Sequence, residues 1–276
     1  LAGETERASI LQPPAAKHQL RFSRAEETVI RPAREFVTVG GIPRREFLAW
    51  SGGLLSTALL AACDARGPKA ADKLLKYAER KNRAVERALY RHTAIDVVQP
   101  GAHDALNKLP SYFISPTVPV WDESVRGKWA LEVSGLVARP VKLTLDDLQK
   151  LPRVSNRVNH YCVEGWTAVE TWTGCPFGEL AKLVGVLPDA HYVDFQSFDD
   201  GYHESWDLES AMHKQTVVAY ALDGKMLEPA HGAPARVYSP VKLGYKNTKY
   251  LTKIVFMPKM NGGYWSDMGY EWYGGV

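Results

Sequence analysis

Asn159-His160-Tyr161-Cys162-Val163-Glu164-Gly165-Trp166, followed by Thr171-Trp172-Thr173-Gly174-Cys175-Pro176-Phe177-Gly178-Glu179-Leu180-Ala181-Lys182-Leu183, is the stretch on which the reading of this chain turns. Val154–Cys162 has strand character, and His160 and Cys162, two residues apart, share one face of it. Gly165 permits a sharp turn directly after the strand. A Trp- and Gly-rich loop then leads into a helix from Pro176 to Val184. A thiol at a strand end facing a loop is well placed to reach a ligand. The same position also suits an inert, buried cysteine.

Working outward, short strands and helices mix without regular alternation. Trp129–Val133 and Val141–Thr144 alternate as strands around a Gly-Leu-Val-Ala-Arg-Pro turn, and Leu145–Leu151 reads as a short helix. Further strands are expected at Tyr192–Phe198, Thr216–Ala221, Ala235–Ser239 and Thr252–Met257. The fold class is therefore α+β, built on a mixed sheet. Upstream, Ala70–Arg91 is helical in composition, with Leu74, Ala78, Val85 and Leu89 near one face. That helix is expected to pack on the domain or to space it from a membrane. The Gly-rich aromatic tail from Asn261 to Val276 is expected to be an ordered coil packed on the domain.

The 276 residues are 45% hydrophobic and 24% charged, an ordinary globular composition. Residues 1–62 hold eight Lys/Arg against six Asp/Glu, so of the +3 net charge only +1 belongs to the rest. A near-neutral body without a basic patch argues against nucleic-acid binding. The three cysteines, Cys63, Cys162 and Cys175, form no CxxC pair, which excludes a zinc ribbon and a disulfide framework. Cys175 is read as core packing. A Cys162–Cys175 disulfide is open to a chain in an oxidising compartment.

Pro43-Arg44-Arg45-Glu46-Phe47-Leu48 reads as a twin-arginine export signal. The uncharged run Phe47–Ala62 after it is too short and glycine-rich for a membrane span, which needs about 20 residues. The run closes on Leu60-Ala61-Ala62-Cys63, similar to a lipoprotein cleavage box, with Cys63 as the lipidated residue and Asp64 favouring inner-membrane retention. Translation then starts near Val37 or Val39, or the signal has a long polar leader. The division expected is a leader over 1–62, a linker and amphipathic helix over 63–100, and a catalytic domain over 101–276. The location expected is periplasmic. Twin-arginine export moves folded proteins, and so favours a cofactor inserted before export.

The strand-terminal cysteine, the tryptophan loop and the Trp172-Thr173-Gly174 helix entry together resemble the molybdopterin-binding domain of the sulfite oxidase family. His231 to Phe256, HGAPARVYSPVKLGYKNTKYLTKIVF, resembles a second block of that family, and Pro119–Leu136 a third, so the likeness covers roughly residues 110–258. The methionine-sulfoxide-reductase catalytic-subunit branch is the nearest in pattern. The resemblance implies a molybdenum-molybdopterin cofactor with Cys162 as the metal ligand. It implies cofactor contacts from Ser197, His231, Arg236, Asn247, Thr248 and Lys249. A soft thiolate suits a redox metal, and Arg and Lys suit an anionic pterin. Glu164 and Tyr161, with His160 and Trp166, are the candidates beside the reacting centre.

Three positions depart from the pattern. The arginines that receive sulfite in sulfite oxidases are replaced by Thr167 and by Ser115-Pro116-Thr117, which disfavours a dianionic substrate. Ser111-Tyr112-Phe113-Ile114 stands where the reductase branch has N-F-Y-E. No dimerisation domain of the sulfite oxidase type and no haem-attachment motif is found. Electrons are therefore expected from a separate carrier, a membrane haem protein or a c-type cytochrome. The leading expectation is two-electron oxygen-atom transfer, reducing a small S- or N-oxide. The alternatives are a cofactor-free binding lipoprotein of the same fold, and a zinc enzyme using His160, Cys162 and His191 or His203.

Overall fold

A computed structural model describes residues 69–90, 94–99 and 109–276. The arginine pair, the apolar run Phe47–Ala62 and Cys63 lie outside the described residues. The chain divides into two compact units with a boundary after Arg83. The unit from Ala84 onward carries every strand of the described residues.

Two five-stranded sheets make up that unit. In the first the order is β2 (Val141–Thr144), β1 (Ala130–Gly135), β10 (Leu251–Met257), β5 (Tyr192–Ser197) and β6 (His203–Asp207). Only β1 and β10 run parallel there; the other neighbours are antiparallel. In the second, β3 (Val154–Tyr161), β4 (Thr167–Pro176), β7 (Val217–Leu222) and β8 (Lys225–Met226) follow in order, and β9 (Arg236–Tyr238) also pairs with β7. This is the mixed-sheet α+β architecture expected.

The larger core is fed by the inward phase of β1, β5 and β10: Leu131 and Val133, Val193 and Phe195, Ile254 and Phe256. The helix α4 (Phe177–Val184) adds Phe177, Leu180, Ala181 and Val184, the spacing of one helical face. Phe177 meets Phe195 edge-on at 5.6 Å between centroids. Cys175 is fully buried in this core and free, so it packs, as expected, and forms no disulfide with Cys162. In the tail, Trp272 and Tyr273 are buried. The remaining short helices are α2 (Glu123–Arg126), α3 (Leu145–Lys150), α5 (Leu208–Ala211) and α6 (Tyr264–Asp267).

β4 replaces the loop expected between Cys162 and Pro176. Its burial alternates almost perfectly, but the inward positions hold Ala168, Glu170, Trp172 and Gly174, a set whose charge and small side chains hide the period. Gly174 sits where β4 shifts register against β7, and any Cβ there would run into the Val218 carbonyl. That close approach explains the glycine of the Trp-x-Gly sequence.

The upstream helix α1 spans Lys69–Leu89. Leu74, Val85 and Leu89 are 67%, 55% and 69% exposed.

Candidate active site

The hairpin of β3 and β4 sets the site. Its pairing runs from Val154↔Gly174 to Tyr161↔Thr167, and the connection is Cys162–Trp166. Cys162 N–H donates to the Trp166 carbonyl at 3.0 Å and Gly165 N–H to the Cys162 carbonyl at 3.0 Å. Gly165 takes φ 87°, the left-handed turn expected of it. The Cys162 thiol is half-buried. Burial raises its pKa and the Glu164 carboxylate adds to this, while the backbone N–H groups of Glu164 and Val163 favour the thiolate.

Behind this loop runs a column of rings. Trp166 stacks on His160 at 5.5 Å, His160 on Tyr238 at 5.7 Å, and Tyr238 on Trp172 at 4.4 Å. The Arg236 guanidinium closes the column, 4.7 Å from the Trp172 ring centre. His160 is buried, and burial with Arg236 and Lys249 nearby pulls its pKa down to about 3, so its ring is neutral.

Arg236 is 3% exposed. Its terminal nitrogens donate to the carbonyls of His231 at 3.1 Å and Asn247 at 2.9 Å, and its Nε has no partner. Lys249 Nζ donates to the Ala230 carbonyl at 2.9 Å. Neither cation has a described carboxylate at ion-pair distance. Burial lowers the pKa of both; the Glu170 charge works against this at Arg236, and at Lys249 the Arg236 charge lowers the pKa further while Asp199 works against it. Gly232, at φ 102°, makes room for Lys249, whose Cβ would lie 2.9 Å from a Cβ on that glycine. Buried polar atoms without partners gather here too: His160 Nδ1, His231 Nδ1, Thr248 Oγ1 and Tyr250 Oη. Buried charges in folded proteins are normally paired and buried polar atoms normally bonded. A site with two cations and several open hydrogen-bonding atoms fits an anionic, hydrogen-bonding group.

Other residues named from sequence are placed differently. The Asn247 side chain is used up on the backbone, accepting from Ser239 N–H and donating to the Lys242 and Leu243 carbonyls. It shapes the 239–247 loop, and its own carbonyl holds Arg236. The Ser197 hydroxyl accepts from Asp199 N–H at 2.9 Å. Tyr161 lies one residue out of phase with His160, and its phenol bonds Asp96, whose carboxylate also takes Asn159 N–H. Strand alternation thus directs Tyr161 away from Glu164. Glu164 is exposed, and accepts from Tyr112 Oη at 2.7 Å and Trp166 Nε1 at 3.1 Å. Burial and the Glu164 carboxylate push the Tyr112 phenol up to about 12. Sequence reasoning missed Tyr112 as a site residue, and Asp199, which collects Ile114 N–H and both the N–H and hydroxyl of Ser115. These partners are 52 to 85 residues apart, and no local pattern links them.

Residues 116–265 match the family model described as the oxidoreductase molybdopterin binding domain. The chain belongs to that family. Its cofactor is molybdopterin carrying molybdenum, and the chain is an oxidoreductase. A protein of Azospira oryzae, provisionally named a protein-methionine-sulfoxide reductase subunit (YedZ1), is 36% identical over 236 residues, 84% of this chain and 87% of that one. The protein-methionine-sulfoxide reductase catalytic subunit MsrP of Xanthomonas campestris is 35% identical over 161 residues, 53% of this chain and 50% of its own length. An uncharacterised oxidoreductase of Bacillus subtilis, YuiH, is 31% identical over 57% of this chain and 78% of its own. The chain spans about half the length of the MsrP relative. Among the described residues no three His, Cys, Asp or Glu side chains converge as a metal cage, and His203 is paired with Asp194 at 2.8 Å, which leaves the zinc reading without ligands.

The molybdopterin-binding oxidoreductase also holds a buried acid. Glu170 on β4 is 4% exposed, and burial raises its pKa to about 7, against the pull of Arg236. A carboxyl whose folded pKa lies above its unfolded value near 4.5 adds stability that is present below that value. This stability is lost as pH rises through about 7. The cofactor-free chain should therefore lose on the order of 2–3 kcal/mol between pH 4.5 and 8 from this group. Glu170→Gln should flatten that part of the profile, measured as urea midpoints across the range. An unchanged slope in the variant would exclude Glu170 as its source.

Proposed function

We propose that this chain reduces a neutral S-oxide, methionine sulfoxide being the first to test, with electrons from a separate carrier. The observation that carries the substrate class is the loop beside Cys162. There an exposed carboxylate, Glu164, is held by Tyr112 and Trp166, and Thr167 and Ser115-Pro116-Thr117 stand where the resemblance puts the arginines that receive sulfite. A fixed carboxylate repels a sulfite dianion and tolerates a neutral sulfoxide. Two relatives named as methionine-sulfoxide reductase subunits support the same substrate class.

When bound, the molybdenum supplies two-electron exchange of an oxygen atom. The balance is one sulfoxide, two electrons and two protons giving a thioether and water. Cys162 is the residue that would hold the metal, since its sulfur lies on the loop with two N–H groups favouring the thiolate. Arg236, Lys249, His231 and Thr248 would hold the anionic pterin through their open donors. The Tyr112 phenol, protonated at neutral pH and pushed up to about 12, holds Glu164 in place beside Cys162. The twin-arginine sequence supports export of the loaded protein to the periplasm, and Cys63 a lipid anchor.

The experiment uses protein made in cells with active molybdopterin synthesis. Reduction of methionine sulfoxide with a reduced viologen should be measurable, and sulfite oxidation with an artificial acceptor should not. Sulfite turnover without sulfoxide turnover overturns the proposal.

A further inference from the structure

Among the described residues β3 is the end strand of its sheet and pairs only with β4. Backbone groups on such an edge need partners of another kind. At Asn159, three residues before Cys162, both groups have one. The Asn159 N–H donates to Asp96 Oδ2 at 2.7 Å, and the Asn159 carbonyl accepts from Tyr238 Oη at 3.2 Å. The Asn159 amide donates to both Asp96 oxygens, at 3.1 and 3.2 Å, and the Tyr161 phenol bonds the same carboxylate. Asn159 and Tyr161 share one phase of β3, so a single carboxylate reaches both, while His160 between them turns to the ring column. Asp96 is itself fixed. Its N–H donates to Gln215 Oε1 at 2.7 Å, its carbonyl accepts from Gln215 Nε2 at 3.0 Å, and Gln215 is buried. Two residues earlier the Ala94 carbonyl is bonded to His213 Nε2 at 2.7 Å. Residues 94–96, which the sequence places in a linker, thus bridge the turn before β7 and the end of β3, all within the unit that begins at Ala84.

We propose that Asp96 is a positioning residue for Cys162. It acts through the strand end from which the thiol projects. The Asn159 backbone is held at its N–H by a carboxylate and at its carbonyl by a phenol, and the loop Cys162–Trp166 hangs on that point. Bonds to a carboxylate are roughly twice as strong as neutral ones, so this end of an edge strand is held more firmly than edge pairing alone would hold it. Groups behind a metal ligand orient it, and their loss costs about 10–100-fold in metal affinity. The inference rests on Cys162 as the metal ligand and is independent of the substrate.

The test uses full chains made in hosts with and without molybdopterin synthesis. Molybdenum per protein is measured by mass spectrometry on the first, and amide hydrogen exchange at residue resolution on the second. In Asp96→Ala the Cys162 amide, bonded to the Trp166 carbonyl, should exchange roughly tenfold faster than in the parent. The amide of Ile254, buried in β10, should be unchanged. Molybdenum content should fall roughly tenfold. Asp96→Asn keeps one acceptor oxygen at the same size and should show both effects at roughly threefold. Where the alanine variant does not fold, the asparagine variant decides alone. A rise confined to the Asn159 amide, or one shared equally by Ile254, overturns the proposal, because Asp96 is then an edge cap or a general source of stability. So does faster Cys162 exchange at parent molybdenum content. Parent-level molybdenum in Cys162→Ser defeats the underlying ligand reading, and this inference with it, whatever the exchange shows.

Discussion

Cys162→Ser is expected to lower the molybdenum content of the purified protein more than about 100-fold, because even changes to groups behind a metal ligand cost about 10–100-fold. Serine offers a hard oxygen that stays protonated near neutrality, where the thiol is soft and ionises as it binds the metal. The fold should survive. Cys162 is half-buried, and its turn is held by backbone hydrogen bonds to Trp166 and Gly165 that serine keeps. Cys175→Ser is the control: it introduces a hydroxyl into a fully buried core position, so it should cost stability and leave the molybdenum ratio unchanged. Metal analysis by mass spectrometry with thermal unfolding separates the two. Parent-level molybdenum in Cys162→Ser would remove this residue from the metal site.

Arg236→Met should have the second largest effect, and on two readouts. In the cofactor-free chain it strips the His231 and Asn247 carbonyls of their donors and leaves Glu170 buried without the charge that offsets it. The expected loss is about 3 kcal/mol in urea unfolding. Cofactor retention should fall as well, because the guanidinium is the more deeply buried cation of the anion-binding site. Lys249→Met separates binding from folding. Its single hydrogen bond goes to the Ala230 carbonyl, so cofactor retention should fall with a stability change below about 1 kcal/mol. If Lys249→Met retains molybdopterin at the parent level, Lys249 is not part of the cofactor site.

The amino-acid sequence alone determined the local part of this protein. Strand character located β3, β5, β7 and β10 to within a residue or two, and helical character located α4. The block from His231 to Phe256 carried Arg236, Lys249 and the glycine that makes room for that lysine. Cys162 at the strand end and Gly165 in its turn were legible for the same reason: strand phase and turn sterics act over a few residues. β4 was hidden because a strand that serves a site places Glu170 where an apolar residue would have marked the pattern. Tertiary structure alone decided the rest. Antiparallel pairing of β7 with β9 sets Arg236 opposite Ala219, while β3 carries the neutral His160 toward the same region, so a histidine and an arginine distant in sequence come close. It also separated residues that the sequence grouped: Tyr161 went to Asp96, the Asn247 amide to the backbone, and Glu164 to Tyr112. A one-dimensional pattern states which side chains share a face. Only the packing of one element on another fixes what that face meets, and on that depends the missing counter-charge at Arg236.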